Sequence, residues 1–119
     1  MKRPESIYIC TAAVNAHAAR ALAVELRAAG IVVRSTWHDV DGIEAARATE
    51  HALSDQEKHV IAAKCLREIH GSTRMIVLGH ADMRGGLFEA GYALALGLDV
   101  EWRGTSPTLF STVAEGWGA

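Results

Sequence analysis

The feature that most constrains the fold of this chain is the alternation of short β-branched runs with helical segments. Strand-like runs cover residues 6–11, 31–36, 75–79 and 98–102, while helical periodicity covers 14–29, 54–70 and 86–96. Ser106 and Pro107 suit the N-cap and first position of a last helix. Because strands that alternate with helices form parallel sheets covered on both faces, the pattern predicts an α/β fold.

Local signals mark where the predicted helices begin and end. Gly30 and Gly97 suit the residue after a helix, where glycine accepts a left-handed backbone. Ser54 and Glu57 match a capping box, so a helix begins there, and Gly71 ends it. Residues 42–53 fit either a helix or a loop. We therefore expect one domain over residues 1–119, a three-layer α/β/α sandwich of the doubly wound, flavodoxin- or Rossmann-like kind, with a small parallel sheet.

Composition excludes several classes of function. Twelve Lys and Arg against fourteen Asp and Glu leave a formal charge of −2, and the basic residues are scattered, so a nucleic-acid partner is not expected. No apolar run approaches the ~20 residues that span a bilayer, so no membrane partner is expected. Two distant cysteines without a CxxC motif favour a reducing cytoplasm. The six histidines lack metal-ligand spacing, and no phosphate-binding glycine motif is present, so neither metal nor cofactor is expected.

A candidate site follows from the predicted sheet, because ligands of such folds bind at the carboxyl ends of the strands. The loops at that edge are residues 11–14, 37–41 and 80–86. Glu89 follows Gly85 and Gly86 and is predicted in the first turn of its helix, where the helix dipole favours a carboxylate. Such a carboxylate suits a nucleophile or a general base. The alternative is that Glu89 only stabilises the start of its helix.

The segment 84–97, RGGLFEAGYALALG, resembles the active-site turn and helix of the nucleoside 2-deoxyribosyltransferase family. Ile7-Tyr8-Ile9 resembles the first strand of that family, residues 35–39 resemble the segment after its second strand, and residues 109–117 resemble its C-terminal helix. The resemblance implies that Glu89 attacks the anomeric carbon of a nucleoside or nucleotide and displaces the base. Transfer to another base makes the enzyme a transferase, and transfer to water makes it an N-glycoside hydrolase.

The resemblance and the strand-end positions together indicate the substrate-binding residues. These are Tyr8, Thr11, Trp37, His38, Asp39, Asp82, Gly85, Gly86 and Ser111. Trp37 is expected to stack on a base and Asp39 to bind a sugar hydroxyl or a base edge. The alternatives are a core aromatic for Trp37, a turn cap for Asp39 and an ordinary strand aromatic for Tyr8. The resemblance also implies a homodimer or homotetramer, with Ser111 reaching the site of the neighbouring subunit.

The chain departs from the family at two acidic positions, which hold Cys65 and Thr73. Cys65 lies on a predicted apolar stripe with Ile61 and Ile69, which favours a core position for its thiol. In the loops that bind phosphate in some family members, Ala12, Val14 and Met83 replace polar residues, which favours an unphosphorylated or unusual substrate. Loss of the acids supports an alternative, a non-catalytic nucleoside- or nucleotide-binding module, and a purely structural protein is a third reading.

Overall fold

The computed structural model describes residues 4–39 and 53–104. Its elements are β1 (Ser6–Cys10), a 3-10 turn (Ala13–Asn15), α1 (Ala16–Ala28), β2 (Val32–Val33), α2 (Asp55–His70), β3 (Arg74–Gly79), α3 (Arg84–Leu96) and β4 (Asp99–Gly104). All strand pairs are parallel, in the order β2-β1-β3-β4. The predicted α/β fold is confirmed, whereas the predicted C-terminal helix, residues 42–52 and Ser111 lie outside the described residues.

The sheet is centred on β1 and β3, whose residues are almost all apolar. Ile9 pairs with Ile76 and Cys10 with Val77, while the next strand aligns Ile76 with Glu101. Residues 75–77 are buried, as predicted for a strand covered on both faces. Strand β2 is shorter than the predicted 31–36. The Arg34 N–H still donates to the Ile7 carbonyl at 2.7 Å, but beyond it the Ile9 N–H and carbonyl of β1 bond to the side chains of Ser35 and Trp37 instead of to backbone.

Two apolar clusters separate the layers of the domain. On one face of the sheet, Ile7, Ile9 and Ile76 pack against Ala19 and Leu22 of α1. On the other face, a larger cluster joins β1 and β3 to α2 and α3; its buried members include Tyr8, Cys10, Ile69, Met75, Val77, Ala90 and Ala93. This division follows from right-handed crossovers, since the chain moves one way from β1 to β2 and the opposite way from β2 to β3. The three-layer prediction is therefore confirmed.

The helix ends follow the local chemistry of the sequence. Gly30 and Gly97 have φ of 79° and 83°, and each helix closes with the paired backbone hydrogen bonds of a Schellman motif. Ser54 and Glu57 form the predicted capping box, and α2 ends at His70 before Gly71. Helix α3 differs from the prediction, because it begins at Arg84 rather than at Gly86. Within residues 4–39 and 53–104, no helix is long and apolar enough to cross a bilayer.

Candidate functional site

The carboxyl ends of β1 and β3 meet at the point where the topology of the sheet reverses. From β1 the chain passes to α1 on one face, and from β3 it passes to α3 on the other face. Thr11, a predicted substrate-binding residue, bridges these strand ends, since its Oγ1 donates to the Leu78 carbonyl at 2.6 Å. Asn15 Nδ2 in turn donates to Thr11 Oγ1 at 3.2 Å. Thr11 therefore helps to hold the edge at which doubly wound folds bind ligands.

Tyr8 and Glu89 are brought together although 81 positions separate them in the chain. The Tyr8 Oη donates to Glu89 Oε2 at 2.8 Å, with Tyr8 fully buried and Glu89 half-buried. Tyr8 alternates with Ile7 and Ile9 along β1, so its ring faces α2 and α3. Both residues were predicted for the site, and the structure joins them by a direct hydrogen bond.

The position predicted for Glu89 within its helix is wrong. Because α3 begins at Arg84, Glu89 lies in the second turn, and the first turn contains no acidic residue. The helix dipole weakens within the first turn, so it contributes little to the Glu89 carboxylate at this position. Instead, the hydrogen bond from Tyr8 and burial against the sheet determine the environment of Glu89.

Burial dominates the electrostatics of this pair. It raises the pKa of Glu89, while hydrogen bonds from Tyr8, Cys10 and Cys65 oppose the rise. Burial also raises the pKa of Tyr8, and the negative charge of Glu89 adds to that effect. Tyr8 therefore stays protonated and serves as a fixed donor. The Glu89 carboxylate is therefore less stable in this buried position than it would be in water.

Two neutral thiols complete the surroundings of Glu89. The Cys10 Sγ contacts the Gly86 carbonyl at 3.3 Å. Burial is the main cause of a raised pKa at both Cys10 and Cys65, followed by the charge of Glu89. Cys65 thus supplies no negative charge where the resembled family has an aspartate. The predicted apolar stripe is only partly correct, since Ile69 is fully buried while Ile61 is 50% exposed.

The two glycines at the start of α3 have different surroundings. A Cβ at Gly86 would lie 2.7 Å from Met83 Cε and 3.3 Å from Cys10 Sγ, so only glycine fits without rearrangement. At Gly85 a Cβ would meet no atom within 4 Å, and the residue is exposed. Gly86 therefore allows α3 to lie close to the end of β1, which brings Glu89 within reach of Tyr8.

Trp37, His38 and Asp39 form a separate group after β2. The Trp37 indole packs against both apolar clusters, and its Nε1 donates to the Ile9 carbonyl at 2.9 Å. Asp39 pairs with Arg27 of α1 through both carboxylate oxygens, at 2.5 and 3.3 Å. The side chains of this group are thus engaged with the protein, and Trp37 is a core aromatic. Nothing in the structure tests whether they also contact a substrate.

A hydrogen-bonded Ser35–His38–Asp39 chain lies within this group and was missed from the sequence. The Ser35 Oγ is 2.7 Å from His38 Nε2, and His38 Nδ1 is 3.1 Å from Asp39 Oδ1. The atoms match those of a hydrolytic triad, but Ser35 is fully buried and accepts the Ile9 N–H at 3.0 Å. Burial lowers the pKa of His38, so the ring is neutral and buried without charge. The chain ties β1 to the end of β2 and to α1.

The remaining predicted position, Asp82, is exposed on the loop after β3. Its backbone N–H donates to His80 Nδ1 at 3.1 Å, which orders the loop. In the part of the chain that the structure describes, no group of three His, Cys, Asp or Glu side chains is arranged to hold a metal ion. Cys10 was missed although it lies two residues after Tyr8 and so on the same face of the strand, a spacing that signals its proximity to the site.

Comparisons with protein-family models, with curated proteins and with solved structures found no match for this chain.

Proposed function

We propose that this protein cleaves or transfers the N-glycosidic bond of a deoxynucleoside or nucleotide, with Glu89 as the nucleophile. The observation that carries the proposal is the hydrogen bond of 2.8 Å from Tyr8 Oη to Glu89 Oε2, close to the strand ends where this fold binds ligands. Two further features support it: the pKa of Glu89 is raised by burial, and segment 84–97 resembles the active-site helix of the deoxyribosyltransferases.

The proposed reaction has two steps. A Glu89 carboxylate oxygen bonds to the anomeric carbon, and the carbon–nitrogen bond breaks with its electron pair leaving on the base, which takes up a proton. The intermediate is a glycosyl ester of Glu89. The oxygen of water, or a nitrogen of a second base, then attacks the anomeric carbon, which restores the carboxylate and releases a proton. Retaining glycosidases use the same sequence of bond changes.

Tyr8 acts in this scheme as a positioning residue. Its hydroxyl donates to Glu89 Oε2 and so fixes the orientation of the carboxylate that attacks the sugar carbon. The neighbouring thiols carry no charge, so they neither repel the carboxylate nor protonate the departing base efficiently. We therefore expect the reaction to favour substrates whose base leaves readily or takes its proton from solvent.

The test is release of free base from deoxynucleosides and their 5′-monophosphates, followed by liquid chromatography. We expect turnover by the wild type and none by Glu89→Gln, with Glu25→Gln as a control that changes an exposed carboxylate on α1. Intact-mass measurement on quenched samples should detect the glycosyl ester, and a second free base should distinguish transfer from hydrolysis. Turnover by Glu89→Gln at the wild-type rate excludes Glu89 as the nucleophile.

A second candidate is a nucleoside- or nucleotide-binding module without catalysis. The observation that favours it is the neutral thiol of Cys65 beside Glu89, where the resembled family has an acid. Calorimetry with the same ligands separates the two candidates. Saturable binding without turnover supports the module, and absence of both binding and turnover contradicts both candidates.

The resemblance also motivates a proposal about assembly and location. We infer a homodimer or homotetramer in a reducing cytoplasm, where Cys10 and Cys65 stay as the free thiols seen here. Light scattering coupled to size exclusion measures the assembly. A monomer would remove the reason to assign Ser111 to the site of a neighbouring subunit.

A further inference from the structure

A second candidate binding site lies between α2 and the edge strand β2. An open cavity of about 400 Å³ is lined there by Arg34, Lys64, Arg67, Glu68 and Gly71. Arg67 and Glu68 lie three and four positions after Lys64 on one side of α2, and Gly71 follows the end of the helix. Arg34 faces them from the segment after β2. The volume falls within the range of small-molecule sites, roughly 300–1,000 Å³.

The cations of this cavity differ from the paired arginines elsewhere in the described chain. Arg27 pairs with Asp39, Arg74 with Glu5 and Glu101, and Arg103 with Glu101. Across residues 4–39 and 53–104, by contrast, none of the three lining cations forms an ion pair with a carboxylate. Three positive side chains thus converge on one cavity without a described protein counter-charge, and such a concentration of charge favours an anionic ligand.

The single acid in the lining is engaged elsewhere. Glu68 Oε1 accepts the Thr36 N–H at 3.1 Å, and its Oε2 accepts the Thr36 hydroxyl at 2.6 Å. Its carboxylate therefore caps the segment after β2 and forms no ion pair with the lining cations. With three cations and one carboxylate, the lining keeps a net charge of +2.

Gly71 shapes the position of Arg34. A Cβ at residue 71 would lie 3.6 Å from both Cζ and Nε of Arg34, so the guanidinium rests against the backbone where α2 ends. This contact limits the freedom of a long side chain that lines the cavity. A guanidinium held in this way suits a planar, two-point contact with phosphate oxygens.

We propose that the cavity bounded by Arg34, Lys64 and Arg67 binds the phosphate groups of a phosphorylated small molecule. Two guanidinium forks and an ammonium match the oxygen-rich, multiply charged surface of a di- or triphosphate. The described lining contains no apolar side chain that would anchor a peptide. This proposal is independent of the reaction proposed for Glu89.

The test is a calorimetric titration of the full chain with inorganic pyrophosphate. The variant Arg34→Gln/Arg67→Gln removes two lining charges, and Arg20→Gln/Lys58→Gln removes two exposed charges from other positions. We expect saturable binding by the wild type, a loss of affinity of about tenfold or more in the first variant, and near wild-type affinity in the second. Glu89→Gln should bind pyrophosphate as the wild type does, whatever its activity on nucleosides.

Thermal unfolding checks that the variants are folded, and the Arg Nε–H signals in nitrogen-15 spectra report the site directly. If Arg34→Gln/Arg67→Gln fails to fold, shifts of the wild-type Arg34 and Arg67 signals on adding pyrophosphate support the proposal, and their absence overturns it. Equal losses of pyrophosphate affinity in the two double variants would show non-specific charge attraction and would overturn the proposal. Binding of a single-stranded oligonucleotide without binding of pyrophosphate, nucleoside diphosphate or triphosphate would also overturn the proposal.

Discussion

Replacement of Gly86 by alanine tests whether close packing of α3 on β1 creates the candidate site. The new Cβ would lie 2.7 Å from Met83 Cε, and 3.3 Å from both Met83 Cβ and Cys10 Sγ. The methyl end of Met83 can rotate away, but Met83 Cβ and the buried Cys10 side chain are constrained by the backbone. Excess volume in a packed interior costs ~1–3 kcal/mol, so we expect about 1–2 kcal/mol here.

Gly91 provides the matched control within the same helix. A Cβ there would meet no atom within 4 Å. Alanine at an open helical position stabilises the folded state by ~0.5–1 kcal/mol relative to glycine. The gain in helix propensity applies broadly to both positions and largely cancels in the comparison. The free energies of unfolding of Gly86→Ala and Gly91→Ala should therefore differ by about 1–2 kcal/mol, with Gly91→Ala the more stable.

The assay is thermal and denaturant unfolding followed by circular dichroism. In a domain of this size, 1 kcal/mol corresponds to roughly 4 °C in the unfolding midpoint. The same Gly86 variant should lose any activity that depends on Glu89, because an outward shift of α3 lengthens the contact between Tyr8 and Glu89. Equal stability of the two variants would refute the idea that contact with Cys10 and Met83 limits residue 86 to glycine.

Three further predictions follow from individual groups. Because burial raises the pKa of Glu89 above the unfolded value of 4.5, its ionised form costs stability as the pH rises. Glu89→Gln should therefore unfold at a higher temperature than the wild type at pH 7 but not at pH 4, and an identical difference at both pH values would contradict this. Burial lowers the pKa of His38 below 6.5, so the contribution of neutral His38 to stability is complete above pH 6.5 and is lost as the pH falls. Denaturant unfolding between pH 8 and pH 5 measures this loss, and His38→Gln should make the free energy of unfolding less dependent on pH. Ser54→Ala removes the capping box and should lower the free energy of unfolding by ~1 kcal/mol, whereas Ser54→Asp should retain most of the stabilisation by the cap. The same unfolding assay measures both variants.

The fold was predictable because its signals are local. Glycine at 30 and 97 adopts a backbone conformation that other residues resist, and the Ser54 and Glu57 side chains complete hydrogen bonds within one turn. The start of α3 was predicted two residues late, because Gly85 and Gly86 indicate a turn when only local propensity is considered. Tertiary packing overrides this local preference of glycine for a turn. Because α3 lies against Cys10, its residue 86 must lack a side chain, so glycine is required inside the helix.

The candidate site was predictable only in part. Tyr8 and Glu89 were named from strand position and resemblance, and the structure joins them. The involvement of Cys10 and the connection of Ser35 through His38 to Asp39 were not foreseen, because both depend on which strands become neighbours. Trp37 and Asp39 were predicted as ligand contacts from their position at a strand end, and this stays a prediction; the structure adds that Trp37 donates to the Ile9 carbonyl and that Arg27 of α1 pairs with Asp39.

For this protein, the sequence alone determined the type and order of the described elements, because periodicity and caps act over a few residues. It also indicated Glu89 as the candidate catalytic residue. Only the tertiary structure decided what surrounds that carboxylate. Its surroundings are a buried tyrosine donor and neutral thiols, and Gly86 allows α3 to pack closely against β1. The physical reason is that desolvation and long-range hydrogen bonds depend on residues that are distant in the chain but adjacent after folding.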